Sequence, residues 1–182
     1  LRRVRFQAMG TACTLLYPQF SEQASHSFER EVVGWVERFE ARYSRFRPQS
    51  LVSRINAAAG RQMVEVDEEM DAILDLAELV YRVSGGLMDA TLLPLVRIWD
   101  YHRRPSVLPT ENEIASARAL TGWNRVTREK GRVFLPCVGM ALDFGGFGKE
   151  YAVDQVVRIA AQHGLKDVLI DFGHDVYGAG AP

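Results

Sequence analysis

The stretch Asp143-Phe144-Gly145-Gly146-Phe147-Gly148-Lys149-Glu150-Tyr151-Ala152-Val153-Asp154 decides how this chain reads, because it joins an apolar run to a helical pattern. Met140, Ala141 and Leu142 lead into Asp143 as a strand would. Beyond the glycines, Val153, Val156, Val157 and Ala160 recur at i, i+3, i+4 and i+7, one face of a helix, and Gly164 ends it. Three glycines at such a junction let bare backbone approach a ligand, and the first helical N–H groups, which lack partners inside a helix, suit an anion.

Two familiar phosphate loops do not fit. A P-loop needs a glycine five residues before its Gly-Lys pair and a serine or threonine after the lysine, and these places hold Asp143 and Glu150. The glycines at 145, 146 and 148 also miss the G-x-G-x-x-G spacing of a dinucleotide fold. Asp-Phe-Gly occurs at 143–145 and again at 171–173, yet no H-R-D loop or V-A-I-K strand accompanies it, which excludes a protein kinase. The plain alternative is a pair of glycine-terminated strand ends.

Two earlier segments have a physical reading of their own. Phe28, Val32, Val36, Phe39 and Tyr43 keep helical spacing, and Pro48 breaks the pattern, so 45–56 reads as a loop on a rigid base. Its serines and Asn56 can bond backbone or a ligand, and as turn formers they need no ligand. Met70, Ile73, Leu74, Ala77, Val80 and Tyr81 define another helix, which Ser84-Gly85-Gly86 caps. Asp89 and Thr91 then sit among Leu87, Met88, Leu92 and Leu93, a polar pair that must find partners.

Taken in order, four segments resemble the FAD:protein FMN transferase (ApbE, or thiamine-biosynthesis-lipoprotein) family over nearly the whole chain. They are Met9-Gly10-Thr11 in an early strand, Ser44 to Asn56, Ser84 to Trp99, and Asp143 to Asp154, with Leu169 to Gly178 similar to the strand that follows. The resemblance implies that Met9, Phe46, Leu87, Met88, Asp89, Asp143 and Lys149 contact FAD, and that the Gly146 carbonyl coordinates Mg²⁺. It also implies the reaction: splitting of the FAD diphosphate and attachment of FMN, by a phosphoester, to a threonine or serine of an acceptor protein. FAD binding without transfer, and hydrolysis of FAD to FMN and AMP, stand as alternatives. No general base or other catalytic side chain is assigned.

Departures from the family pattern are Glu150, where glycine is frequent, and His174, which replaces the second glycine of a Gly-Gly-Asp turn at Gly173-His174-Asp175. A histidine in a turn is read as structural or solvated, not as a catalytic base. The family's Pro-x-Thr-Gly segment and its aspartate–threonine metal pair are not found before Pro182. Residues 1–182 therefore read as a single, incomplete ApbE-like domain, either a fragment of a longer protein or a shortened relative that binds without transfer, and the start at Leu1 reads as trimming.

A formal net charge of −1 gives no electrostatic case for nucleic acid or an anionic membrane. Arg2-Arg3 and Arg103-Arg104 read as solvated charge. Cys13 and Cys137 make neither a metal site nor a demand for an oxidising compartment, and the histidines at 26, 102, 163 and 174 lack zinc-ligand spacing. No apolar run is long enough to cross a bilayer and no signal peptide is recognisable, although members of the family are commonly periplasmic or lipid-anchored, so the compartment stays open.

The expected elements are a strand at 3–16, helices at 22–43 and 67–83, and a loop between them to about 66. An irregular stretch to 109 and a helix opened by the capping box Thr110-x-x-Glu113 follow. Strands near 132–136 and 138–144, a helix at 147–163 and a strand at 167–172 complete the reading, the last three as a βαβ unit. The fold class is α+β, a mixed sheet with flanking helices in an ApbE-like, T-fold-like architecture.

Overall fold

The computed structural model describes residues 1–99 and 108–180. In chain order its elements are β1 (Arg2–Ala8), β2 (Thr11–Tyr17), α1 (Glu22–Tyr43), α2 (Leu51–Ala58), β3 (Val64–Glu65), α3 (Glu68–Val83), α4 (Leu93–Ile98) and α5 (Glu111–Arg118). A short 3₁₀ turn at Trp123–Arg125 precedes β4 (Thr127–Glu129), β5 (Arg132–Phe134), α6 (Gly148–Gln162), β6 (Val168–Phe172) and β7 (Asp175–Ala179). The chain divides into two compact units, Leu1–Ser44 with Phe147–Pro182, and Arg45–Gly146. His102 and Arg103-Arg104 lie outside the described residues.

The first unit is a four-stranded antiparallel sheet in the order β1-β2-β6-β7 with α1 and α6. Cys13, Leu15 and Tyr17 of β2, and Val168, Ile170 and Phe172 of β6, alternate into the core as a period of two requires. Phe28, Val32, Val36, Phe39 and Tyr43 of α1 are all buried, as their spacing predicts, and each such side chain stabilises by about 1.5–3 kcal/mol. Tyr17 meets Phe28 edge-on at 5.0 Å, and Phe39 stacks on Tyr151 of α6 at 5.6 Å. Ser21 caps α1. Gly164, at φ 75°, ends α6 in a Schellman motif, with Leu165 N–H donating to Ala160 and Gly164 N–H to Ala161.

Two expectations change here. The strand at 3–16 is a hairpin, because Met9 and Gly10 both adopt left-handed backbone (φ 51° and 72°), the requirement of a two-residue type I′ turn. Helix α6 is not the crossover of a βαβ unit, since β6 pairs antiparallel with both β2 and β7.

In the second unit β3, β5 and β4 form a small antiparallel sheet, with α2 packed against it and α4 packed on α5. The expected loop between 45 and 66 contains α2: Ser50 Oγ accepts from Ser53 N–H at 3.0 Å, and Leu51, Val52 and Ile55 are buried. The expected irregular stretch contains α4, with a proline in its first turn. Helix α3 has the Asp67 cap at its start and a Schellman end, where Gly85 N–H donates to Arg82 and Gly86 N–H to Tyr81. The capping box at Thr110 and Glu113 forms as read.

The expected strand at 138–144 is not one. Met140, Ala141 and Leu142 are buried, but only Ala141 makes a bridge, with Leu92. Neighbouring backbone groups are satisfied elsewhere: Leu142 N–H and C=O bond to the Asn56 side chain at 2.7 and 3.0 Å, and Asp143 N–H donates to Ala90 C=O at 2.8 Å. Among the described residues no helix is long and apolar enough to cross a membrane.

Candidate functional site

In the second unit, side chains predicted from the sequence gather around the turn that begins at Asp143. Asp143 Oδ1 accepts from Gly145 N–H at 3.0 Å and folds the chain back, while Oδ2 pairs with Arg45 Nε at 2.8 Å. The Arg45 guanidinium lies 4.0 Å from the centre of the Phe46 ring, which is itself 76% exposed. A side chain at Gly146 would meet only Met88 Cε, at 4.0 Å, so the space on the side-chain side of this glycine is open beside a thioether.

Leu87 and Met88 are large apolar side chains left exposed, 85% and 40%. The short segment that carries them is fixed at both ends. Ser84 Oγ accepts from Met88 N–H at 2.9 Å. Asp89 Oδ1 accepts from both the N–H and the hydroxyl of Thr91, at 2.7 Å each, and Oδ2 accepts from Trp123 N–H at 3.0 Å. Thr91, fully buried, in turn accepts from Gly122 N–H at 2.7 Å. The embedded polar pair thus finds its partners within the protein, and Asp89 acts first as a brace for the segment.

The first unit carries the two remaining predicted residues. Met9 occupies the β1–β2 turn, not a strand, and its N–H donates to Glu40 Oε2 at 2.8 Å. Lys149 lies in the first turn of α6, whose N-cap Phe147 supplies no side-chain cap, and its Nζ is ion-paired with Asp175 Oδ2. The structure therefore groups Phe46, Met88, Asp143 and Gly146 in one unit, with Leu87 and Asp89 on the adjoining segment, and places Met9 and Lys149 in the other.

Arg45 and Asp175 are side chains that residue-by-residue reading passed over, and Asn56, read as a turn former, spends its amide on the Leu142 backbone. Each belongs to a quoted motif, yet its partner lies between 26 and 98 positions away along the chain, a distance no local pattern reports. His174 adopts φ 77° beside Gly173 at 65°, so the β6–β7 turn is also type I′ and holds histidine where left-handed backbone favours glycine. Among the described residues no group of three or more His, Cys, Asp or Glu side chains is placed to hold a metal ion.

The sequence model of the ApbE family matches residues 9–182. An FAD:protein FMN transferase of Treponema pallidum is 26% identical over 180 residues, which cover 94% of this chain and 50% of that protein. One from Klebsiella pneumoniae is 29% identical over 175 residues, 94% and 54% of the two chains. The solved flavin transferase ApbE of Vibrio cholerae superimposes with a TM-score of 0.89 at 23% identity, covering all of this chain and 60% of that one. At that identity the likeness is one of fold. The chain spans about half the length of the curated relatives it matches.

Proposed function

The chain belongs to the ApbE family, and from this we propose that it binds FAD and serves in transfer of the FMN moiety to an acceptor protein. In the reaction a threonine or serine hydroxyl of the acceptor attacks the FMN phosphorus. One O–P bond forms, the O–P bond to AMP breaks, the hydroxyl proton leaves to a base, and the products are the FMN phosphoester and AMP. Positioning and charge neutralisation carry most of such a transfer.

The observation that carries this reading is the braced turn at Asp143 within a family match running from residue 9 to 182. Phe46 and Met88 offer exposed aromatic and polarisable surface suited to a flat ring system, and Met88 lies beside bare backbone at Gly146. In the first unit, α6 begins without a side-chain cap and carries Lys149 in its first turn, an arrangement suited to an anion. Met9, Leu87, Asp89 and Asp143 complete the proposed set of FAD contacts.

Mg²⁺ fits these residues only in part. The Gly146 carbonyl is a suitable hard oxygen donor, but the described residues bring no carboxylate cluster to it, so no step is assigned to the ion. FAD binding without transfer is a second reading. It is favoured by the ion pairs that already occupy Asp143 and Lys149.

Fluorescence titration of the chain with FAD, with and without Mg²⁺, tests the proposal. Saturable quenching that is weakened in folded Asp143→Ala and Asp143→Asn variants supports it; no quenching by the folded wild-type chain sinks it. Mass spectrometry of a co-incubated acceptor protein then separates transfer, which adds the mass of FMN, from hydrolysis, which releases free FMN and AMP.

A further inference from the structure

We propose that Asp175 positions Lys149 for its ligand, an inference that rests on the flavin-binding reading above. Lysine occurs only at 130, 149 and 166 in this arginine-rich chain. Lys149 stands at the wrong end of a helix for a cation, because the partial positive charge of the α6 dipole disfavours an ammonium in the first turn. Its Nζ is held by Asp175 Oδ2, with the two side chains 33% and 22% exposed. A lysine fixed in this way keeps two N–H donors for a ligand and loses less side-chain freedom when the ligand binds.

The turn that delivers Asp175 is tightly specified. Phe172 and Asp175 are cross-strand partners flanking Gly173 and His174. Gly173 N–H donates to Ala12 C=O at 3.2 Å, and a side chain at this position would collide with Thr11. His174 N–H donates to Asp171 Oδ1 at 2.8 Å while its backbone stays left-handed. Strained backbone persists where the surroundings over-determine it, and here the outcome is a fixed direction for one carboxylate.

Two roles for Asp175 predict opposite results. If it merely neutralises Lys149, its removal frees a positive charge and tightens an anionic ligand. If it positions the ammonium, its removal weakens binding. The experiment is equilibrium titration with FAD of the wild-type chain, Asp175→Asn, Asp175→Glu, Lys149→Met and the Lys149→Met/Asp175→Asn pair, with urea unfolding curves to establish that each is folded. Positioning predicts about tenfold weaker binding for Asp175→Asn, the scale of a lost charge-assisted partner, with partial recovery in Asp175→Glu. In the Lys149→Met background Asp175→Asn has no further effect.

Unchanged or tighter binding by folded Asp175→Asn overturns the inference, as does an equal loss in both backgrounds, which marks a purely structural role. Should Asp175→Asn not fold, Asp175→Glu in the two backgrounds carries the same comparison: weaker binding confined to the Lys149 background supports positioning, and an equal effect in both overturns it. Failure of the wild-type chain to bind FAD overturns the flavin reading itself. Wild-type binding that Asp175 does not influence overturns only this step.

Discussion

At the scale of single residues, the side chains around the Asp143 turn are defined by what they accept. Asp89 uses both carboxylate oxygens as acceptors, for Thr91 and for Trp123 N–H. Asp89→Asn turns one acceptor into a donor facing a donor, so it is expected to destabilise the second unit by about 1–3 kcal/mol in urea unfolding, with a measurable fall in midpoint. A midpoint equal to wild type would show that the braced geometry contributes nothing. Asn56 works the other way, giving and receiving one bond each with the Leu142 backbone. Asn56→Asp sets a carboxylate against the Leu142 carbonyl. Its expected result is a loss of similar size together with weaker FAD binding, because Leu142 leads directly into Asp143. Intact affinity in the folded variant would separate the clamp from the ligand.

At the scale of elements, both two-residue hairpin turns of the first unit place a non-glycine residue in left-handed backbone, Met9 in one and His174 in the other. Such a residue is strained by about 1–2 kcal/mol, and glycine relieves the strain while adding freedom to the unfolded chain. His174→Gly is therefore expected to raise stability by up to about 1 kcal/mol, read as a higher urea midpoint. A lower midpoint would mean that the imidazole makes a compensating contact. Gly173→Ala is expected to lower stability strongly, since its Cβ has no room beside Thr11. Legibility also differed by element. Helices α1, α3 and α6 announce themselves by long apolar periodicity, whereas α2 and α4, eight and six residues long, show too few turns for a period to register.

At the scale of the whole molecule, the balance of buried ionisable groups fixes the pH range of stability. Burial pushes the Cys13 thiol up to about 11. Burial, with the adjacent Glu29 carboxylate next, pushes the Tyr17 hydroxyl up to about 12. Both groups hold their proton more firmly when folded, so their contribution is complete below their unfolded values and is lost as pH rises through 11 to 12. Burial alone would raise Glu29, but hydrogen bonds from Arg2 and Tyr17 outweigh it and hold the carboxyl below its ordinary value. Its contribution is present above the unfolded glutamate value and is lost as pH falls below it. Urea midpoints measured across the pH range are expected to fall at both extremes. Tyr17→Phe is expected to flatten the alkaline limb, and an unchanged limb would remove Tyr17 from the account.

The sequence by itself determined the α+β class, the three long helices, the caps at Gly85 and Gly164, the capping box at Thr110 and the family to which the chain belongs. These are local matters: an apolar period, a left-handed glycine or a side chain bonding its own backbone needs only near neighbours. Tertiary structure decided the rest. Residues 138–144 are as apolar as a strand but have no ladder to join, because Asn56 and Ala90 take the backbone bonds a neighbouring strand would have made. The antiparallel placement of β6 between β2 and β7, and the pairing of Arg45 with Asp143 and of Lys149 with Asp175, are likewise absent from any local pattern. Ion pairs and sheet neighbours join positions far apart along the chain, and only the folded backbone brings such positions within bonding distance.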